Sequence, residues 1–154
     1  MSGKPKVTIV DYEVGNLLSV VNALNKCGAE SELTCDPKKI KEADYLILPG
    51  VGAFKEGMKA LKKKSLIEPI MDFSETNRPF LGICLGMQLL ATVSYEGHKT
   101  SGLDLIGGVV EPLKANAPGV RIPHVGWNEI EFHRNDPLIE GVAQGTDCYF
   151  VHSY

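Results

Sequence analysis

Strand-like and helix-like apolar patterns alternate along the first ninety residues, and this alternation constrains the fold more than any other feature of the chain. Residues 7–10 form a β-branched run, and the stretch after it is apolar at helical spacing until Gly28, a typical helix C-cap. "DYLILPG" and "PFLGI" are continuous apolar runs typical of buried parallel strands. Because alternating strands and helices form βαβ units, the sequence predicts an α/β fold, a three-layer αβα arrangement with a mostly parallel central sheet.

Two further helical regions follow along the chain, and the residue composition changes after Gly97. Residues 54–73 carry two apolar stripes at helical spacing, with a break expected either at Ser65 or at Pro69. Residues 85–93 are expected to form the next helix. After Gly97 the chain becomes rich in glycine and β-branched residues, and we expect strands and hairpins there, so that this portion is richer in antiparallel pairing.

Composition excludes several classes of protein. The 154 residues carry a net charge of −3, with no basic patch typical of nucleic-acid binding, and no run of eighteen apolar residues could span a membrane. The four cysteines show no C-x-x-C pair, so we expect neither a disulfide framework nor a metal site. We expect one cytoplasmic domain over residues 1–154 without a cofactor.

"GICLG" places Cys84 between Gly82 and Gly86, where a predicted strand becomes a predicted helix. A sharp strand-to-helix turn of this kind lifts its central side chain out of the sheet, as in the G-x-S-x-G elbow of hydrolases. The start of a helix also favours the thiolate form of a cysteine. A cysteine that only fills space needs no glycine on either side, so the pattern indicates that Cys84 is a nucleophile.

A nucleophile that attacks an amide needs N–H donors for the oxyanion. The sequence offers two sources, the backbone N–H of Leu85 directly after the elbow and the loop "LPGVGAF", whose Gly50 and Gly52 let N–H groups turn toward a ligand. The same loop is a poor dinucleotide-binding motif, because Lys55 stands where G-x-G-x-x-G requires glycine.

With "GICLGMQ", "LPGVGAF", "PHVGWN" and "YFVHSY" in view, the chain resembles the class I, triad-type glutamine amidotransferases. Among them it is similar to the glutaminase subunits of imidazole glycerol phosphate synthase, an enzyme of histidine biosynthesis. The resemblance covers nearly the whole chain and implies a flavodoxin-like fold. It also implies that Cys84 attacks the side-chain amide of glutamine, forms a thioester and releases ammonia, with Gly52 and Leu85 at the oxyanion.

The resemblance assigns further residues to substrate and partner. Gln88, Glu96 and Ser153 match positions that hold glutamine, although an exposed helix residue, a surface carboxylate and a plain strand-end serine remain alternatives. His124, Trp127 and Asn128 match a segment that faces the ammonia-consuming cyclase or synthase subunit, which would make the protein a heterodimer. The alternative for that segment is an ordinary strand with a half-buried tryptophan.

The family's His-x-Glu motif, which supplies the general base and its carboxylate, is absent from these 154 residues. The four histidines stand in "HKT", "HVG", "HRN" and "HSY". A cysteine nucleophile needs such a base. Because the chain also stops inside an aromatic strand pattern at Tyr154, the sequence favours a missing C-terminal segment. His152 is not expected to act as a substitute base.

Three functions therefore stay open at this stage. The first is glutamine hydrolysis that supplies ammonia for imidazole glycerol phosphate and the aminoimidazole carboxamide ribotide AICAR, and the second is ammonia supply to a sugar amidotransferase of surface-polysaccharide synthesis. The third is a non-catalytic module that docks on a synthase and regulates it, which the missing His-x-Glu favours. A thiol hydrolase or redox sensor of the same architecture is a more remote alternative.

Overall fold

The computed structural model describes residues 3–115, 119 and 121–154. The described residues divide into two compact units, one that ends at Glu111 and one that begins at Pro112. The expectation of a single domain stays a prediction. None of the helices in the described part of the chain is long and apolar enough to cross a membrane.

Strands and helices alternate as predicted through the first ninety residues. The helices are α1 Leu17–Lys26, α2 Pro37–Lys41, α3 Phe54–Lys63, α4 Ile67–Ser74 and α5 Leu85–Leu89, with a short 3₁₀ helix at Pro137–Ile139. The strands are β1 Lys6–Val10, β2 Glu30–Thr34, β3 Tyr45–Gly50, β4 Phe80–Cys84, β5 Ala91–Ser94, β6 Thr100–Ser101, β7 Ile106–Val110, β8 His124–Glu129 and β9 Asp147–His152.

The central sheet is entirely parallel and has the strand order β2-β1-β3-β4. Strand β2 lies on one side of β1, whereas β3 and β4 lie on the other, so the direction in which strands are added reverses between β1 and β3. Ligand sites of such sheets lie at the carboxyl ends of the strands near this switch point. The register places Gly50, the last residue of β3, opposite Cys84, the last residue of β4. The sheet thus brings the glycine loop and the predicted nucleophile to the same edge.

Helices cover both faces of this sheet, which confirms the predicted αβα layering. On one face α1 lays its apolar stripe, which includes Leu17 and Val21, against a cluster that contains Ile9 and Ile47. The other face carries the larger core. Its fully buried members include Tyr12, which follows β1, and Leu48, Phe54, Leu61, Phe73 and Leu89 from β3, α3, α4 and α5.

The structure locates the break between α3 and α4 and the end of α5. The break between the helical stripes falls at Ser65, which has a φ of 57°, whereas Pro69 lies within the first turn of α4, where its missing N–H removes no intrahelical bond. The predicted helix over residues 85–93 is wrong beyond Leu89. Residues 91–94 form β5 instead, since the β-branched Val93 pairs with Ser101 of β6 and with Val109 of β7.

The later part of the chain contains the predicted antiparallel pairing. Strand β5 pairs antiparallel with β6 and parallel with β7 in a small second sheet of the first unit. In the second unit β8 and β9 form a two-stranded antiparallel ribbon, in which His124 lies opposite His152 and Trp127 opposite Tyr149.

Candidate active site

Cys84 occupies a strained corner between β4 and α5. Its φ of 53° and ψ of −119° are far from the helix and strand regions, and it serves as the N-cap of α5 without a side-chain capping bond. Such a conformation costs a non-glycine residue on the order of 1–3 kcal/mol, and strain of this kind is concentrated at functional sites. Cys84 is exposed. The predicted elbow is therefore present in the backbone, with its side chain open to solvent.

The two flanking glycines make this corner possible by close packing. A Cβ on Gly86 would lie under 3.0 Å from the backbone oxygen of Leu48, and a Cβ on Gly82 would lie under 3.0 Å from the backbone of Met87. Real Cβ atoms essentially never approach other heavy atoms so closely. The glycines thus allow α5 to rest directly on the ends of β3 and β4, which fixes the angle at which Cys84 leaves the sheet.

The glycine loop begins beside the elbow. Gly50 lies opposite Cys84 in the β3–β4 register, and Gly52 has a φ of +101°, which L side chains rarely adopt. Apart from its chain neighbours, no atom of the described residues lies within 4 Å of the place that a Cβ on Gly52 would occupy. Gly52 therefore serves the turn of the loop rather than close packing.

Leu85 is the first residue of α5, so its backbone N–H lies at the helix start and has no intrahelical acceptor. Its side chain is 1% exposed and belongs to the larger core, which anchors the first turn of α5. Because the buried side chain of Leu85 holds its backbone N–H in place at the corner, this N–H suits the role of a preorganised oxyanion donor. The roles of Leu85 and Gly52 at an oxyanion stay predictions.

Glu96 is already engaged with the helix that follows the glycine loop. Its Oε2 accepts a hydrogen bond of 2.7 Å from the backbone N–H of Phe54, the first residue of α3. The N-cap of α3, Ala53, has no side chain that could accept this bond, so the carboxylate of Glu96 caps the helix from a distant segment. Glu96 is thereby held next to the loop that contains Gly52.

Gln88 lies on α5, one helical turn after Cys84, and it is half-buried. Residues at this spacing lie on the same side of a helix. Cys84, Gly52, Leu85, Gln88 and Glu96 thus all belong to the first unit and lie on the segments that follow β3, β4 and β5.

The other predicted residues belong to the second unit. Ser153 lies directly after β9, and its backbone oxygen accepts a hydrogen bond of 2.8 Å from the N–H of Leu113. Within the ribbon, His124 and Asn128 lie on one face and Trp127 on the other, because strand residues alternate. His124 Nδ1 lies 2.9 Å from Nε2 of His152, so these two histidines are partners of each other.

Tyr12 is a residue that the sequence reasoning missed. It follows β1 by two residues, it is fully buried, and its hydroxyl has no hydrogen-bond partner. Burial raises the pKa of Tyr12 above its usual value, and the charge of an ionised Cys84 raises it further. A polar aromatic residue at the carboxyl end of a predicted central strand was the available signal. No group of His, Cys, Asp and Glu within the described ranges is arranged to hold a metal ion.

Comparison with known proteins agrees with this geometry. The family model of glutamine amidotransferase class-I matches residues 8–154. The chain belongs to the class I glutamine amidotransferase family. Among its relatives is the imidazole glycerol phosphate synthase subunit HisH of Moorella thermoacetica, which is 49% identical over 148 residues, 96% of this chain and 69% of the relative. The subunit of the same name from Geobacter sulfurreducens is 43% identical over 97% of this chain and 73% of its own.

A solved structure supports the fold. The crystal structure of a glutamine amidotransferase matches with a TM-score of 0.70 at 20% identity, covering 94% of this chain and 70% of that protein. The likeness supports the α/β fold of the chain.

The packing at the elbow yields a stability prediction. We expect Gly86→Ala to lower the free energy of unfolding by roughly 3 kcal/mol or more, because the new methyl group meets the backbone oxygen of Leu48. Gly107→Ala is the control, since nothing lies within 4 Å of its Cβ position. Urea unfolding of both variants checks this, and a Gly86→Ala protein as stable as Gly107→Ala would contradict it.

Proposed function

We propose that this chain is the glutaminase part of an imidazole glycerol phosphate synthase, in which it releases ammonia from glutamine for a cyclase subunit in histidine biosynthesis. The observation that carries the proposal is the strained, exposed Cys84 beside the glycine loop. The relatives named HisH, which match 96% and 97% of this chain, support the choice of partner reaction. Such a pathway places the protein in the cytoplasm.

Cys84 is assigned the covalent step. Its thiolate attacks the side-chain amide carbon of glutamine, and the carbonyl oxygen takes the negative charge within reach of the N–H groups of Gly52 and Leu85. Collapse of this intermediate expels the amide nitrogen, which takes up a proton and leaves as ammonia. The remaining glutamyl thioester is hydrolysed by water to glutamate and the free thiol.

The proton that leaves with ammonia must come from a general acid. These 154 residues contain no His-x-Glu motif, so the proposal assigns to them the nucleophile, the oxyanion donors and the glutamine-binding groups, and no proton-transfer residue. Chemical labelling of Cys84 is therefore a more direct test than turnover, because it needs the nucleophile and the pocket but no proton-transfer partner.

Glutamine recognition in the first unit is assigned to Glu96 and Gln88, and the role of Ser153 stays a prediction. Glutamine carries an ammonium and a carboxylate at its α-carbon, and a carboxylate is the natural partner of the ammonium. Oε2 of Glu96 accepts a hydrogen bond from the N–H of Phe54, which restrains the side chain, and the proposal assigns the ammonium to this carboxylate. A side chain immobilised in this way loses little further freedom when glutamine binds.

The partner surface is assigned to one face of the β8–β9 ribbon. Val125, Trp127, Tyr149 and Val151 lie on this face and are 54%, 72%, 56% and 64% exposed. Valine faces valine and tryptophan faces tyrosine across the ribbon, so the four side chains form a continuous apolar patch. Exposed aromatic residues within such a patch are typical anchors of protein interfaces. Trp127 is the proposed anchor, while His124 and Asn128 lie on the opposite face.

The first test is covalent labelling. A glutamine analogue that carries a chloroketone in place of the amide should modify Cys84 in the folded chain, and free glutamine should protect it. Cys27 and Cys35 are internal controls because both are also exposed thiols. Peptide mass spectrometry reads all three sites. Equal modification of the three cysteines, unaffected by glutamine, would refute a glutamine site and favour the non-catalytic module.

The second prediction concerns Glu96. We expect Glu96→Gln to raise the analogue concentration needed for half-maximal labelling of Cys84 by about 10- to 100-fold, with the maximal labelling rate unchanged, because the charge is lost. The amide oxygen can still accept from Phe54 N–H, so stability should change little. Glu96→Ala loses the cap as well, and its free energy of unfolding should fall by about 1 kcal/mol. Unaltered half-saturation in both variants would remove Glu96 from the glutamine site.

The third prediction concerns the apolar patch. We expect Trp127→Ala to weaken binding to the cyclase subunit by about 30-fold or more, as measured by titration calorimetry, because the variant lacks the large side chain that the proposed complex would bury. Leu138→Ala is the control, an apolar residue of the same unit that is 75% exposed and lies off the ribbon. If His124→Ala and Asn128→Ala weaken binding instead, the opposite face is the interface. Binding only to a sugar amidotransferase would replace the histidine assignment.

A further inference from the structure

Tyr12 carries the one hydroxyl among the described residues that is buried, unpaired and next to the proposed nucleophile. The residue is 0% exposed, and no atom accepts from or donates to its Oη. Its ring belongs to the larger core, together with Leu48 and Leu85. A phenylalanine would fill the same space without burying an unpaired polar group, so core packing alone does not account for a tyrosine here.

The position of the hydroxyl relates it to the elbow. Oη lies under 3.0 Å from the point where a Cβ on Gly50 would stand, and the backbone nitrogen of Gly86 lies 3.1 Å from the same point. Gly50 in turn lies opposite Cys84 in the sheet. The hydroxyl therefore occupies the gap between the end of β3 and the first turn of α5, directly behind the corner that holds Cys84.

A phenol O–H without a partner can take either of the two orientations in the plane of its ring. In the low-dielectric core an O–H dipole acts on a nearby charge far more strongly than it does in water. We propose that Tyr12 is a positioning residue for Cys84, whose unpaired O–H turns its positive end toward the sulfur when the thiol ionises and so favours the thiolate. The inference rests on the proposed role of Cys84 as the nucleophile.

The state of the phenol fits this role. Because burial raises the pKa of Tyr12, the group stays protonated at neutral pH and keeps its hydrogen for donation. The charge of an ionised Cys84 raises the same pKa further, as expected for two groups at the same corner of the fold. The negative charge of a thiolate repels a phenolate, and the same charge attracts the positive end of a neutral O–H bond.

The charged residues near Tyr12 do not replace the effect of its O–H on the Cys84 thiolate. Tyr12 also borders a surface cavity whose charged lining is Glu13, Glu56, Lys59, Lys63 and Lys64. Glu13 pairs with Lys64 at 2.8 Å and Glu56 with Lys59 at 3.5 Å, so four of these charges offset one another. The remaining cation, Lys63, is exposed at the surface, where solvent and salt weaken its field.

The test compares Tyr12→Phe with the original chain. The rate at which iodoacetamide alkylates Cys84 is followed from pH 6 to 10 by peptide mass spectrometry, and the pH midpoint should rise by about 0.5 to 1 unit in the variant. The midpoints of Cys27 and Cys35 should stay unchanged in the same samples. The thermal midpoint of Tyr12→Phe should be equal or higher, because an unpaired buried hydroxyl has been removed. Tyr45→Phe, which removes a 42% exposed tyrosine hydroxyl, is the matched control.

An unchanged Cys84 midpoint in a folded Tyr12→Phe protein would overturn the proposal and leave Tyr12 as a core filler. If the variant does not fold, carbon-13 NMR of the chain labelled at tyrosine Cζ replaces it. The Tyr12 signal should then shift as Cys84 titrates and stop shifting in Cys84→Ala, and a signal indifferent to that substitution would refute the role. Iodoacetamide needs no glutamine pocket, so these results are independent of whether the chain binds glutamine.

Discussion

The contact between the first turn of α5 and the ends of β3 and β4 is the constraint on which the rest of this site depends. Gly86 rests against the backbone oxygen of Leu48, and Gly82 lies beneath Met87, at distances that leave no room for a side chain. Because helix and sheet are so close, the chain has to turn sharply at Cys84 and adopts a φ of 53° there. The strain at one residue is therefore sustained by the packing of a helix that is itself anchored through buried Leu85 and Leu89.

The same packing organises the groups around the sulfur. The β3–β4 register places the glycine loop beside the elbow, and Glu96 reaches across from the segment after β5 to hold the start of α3. Three segments distant in sequence are thus tied together by one hydrogen bond and one pair of strands. Such preorganisation keeps donors and charges in place before a substrate arrives, which is where most electrostatic catalysis originates.

Much of this architecture could be predicted from the sequence, and the failures have physical reasons. The parallel strands and the elbow were visible because continuous apolar runs and flanking glycines are local signals. Residues 85–93 were predicted wrongly as one helix, because short apolar runs fit either period and only pairing with β6 and β7 makes β5 a strand. The cap on Phe54 and the unpaired hydroxyl of Tyr12 could not be seen, since both depend on contacts between distant segments.

The register between β3 and β4 also limits how the gene for such a protein can change. Gly50 and Cys84 are partners at the last rung of a parallel ladder that starts with Leu46 and Phe80. An inserted or deleted codon within either strand would place a different residue opposite the sulfur and turn alternate side chains to the wrong layer. Length variation among relatives should therefore be confined to the connections, such as the exposed residues 97–99, and be absent from these two strands.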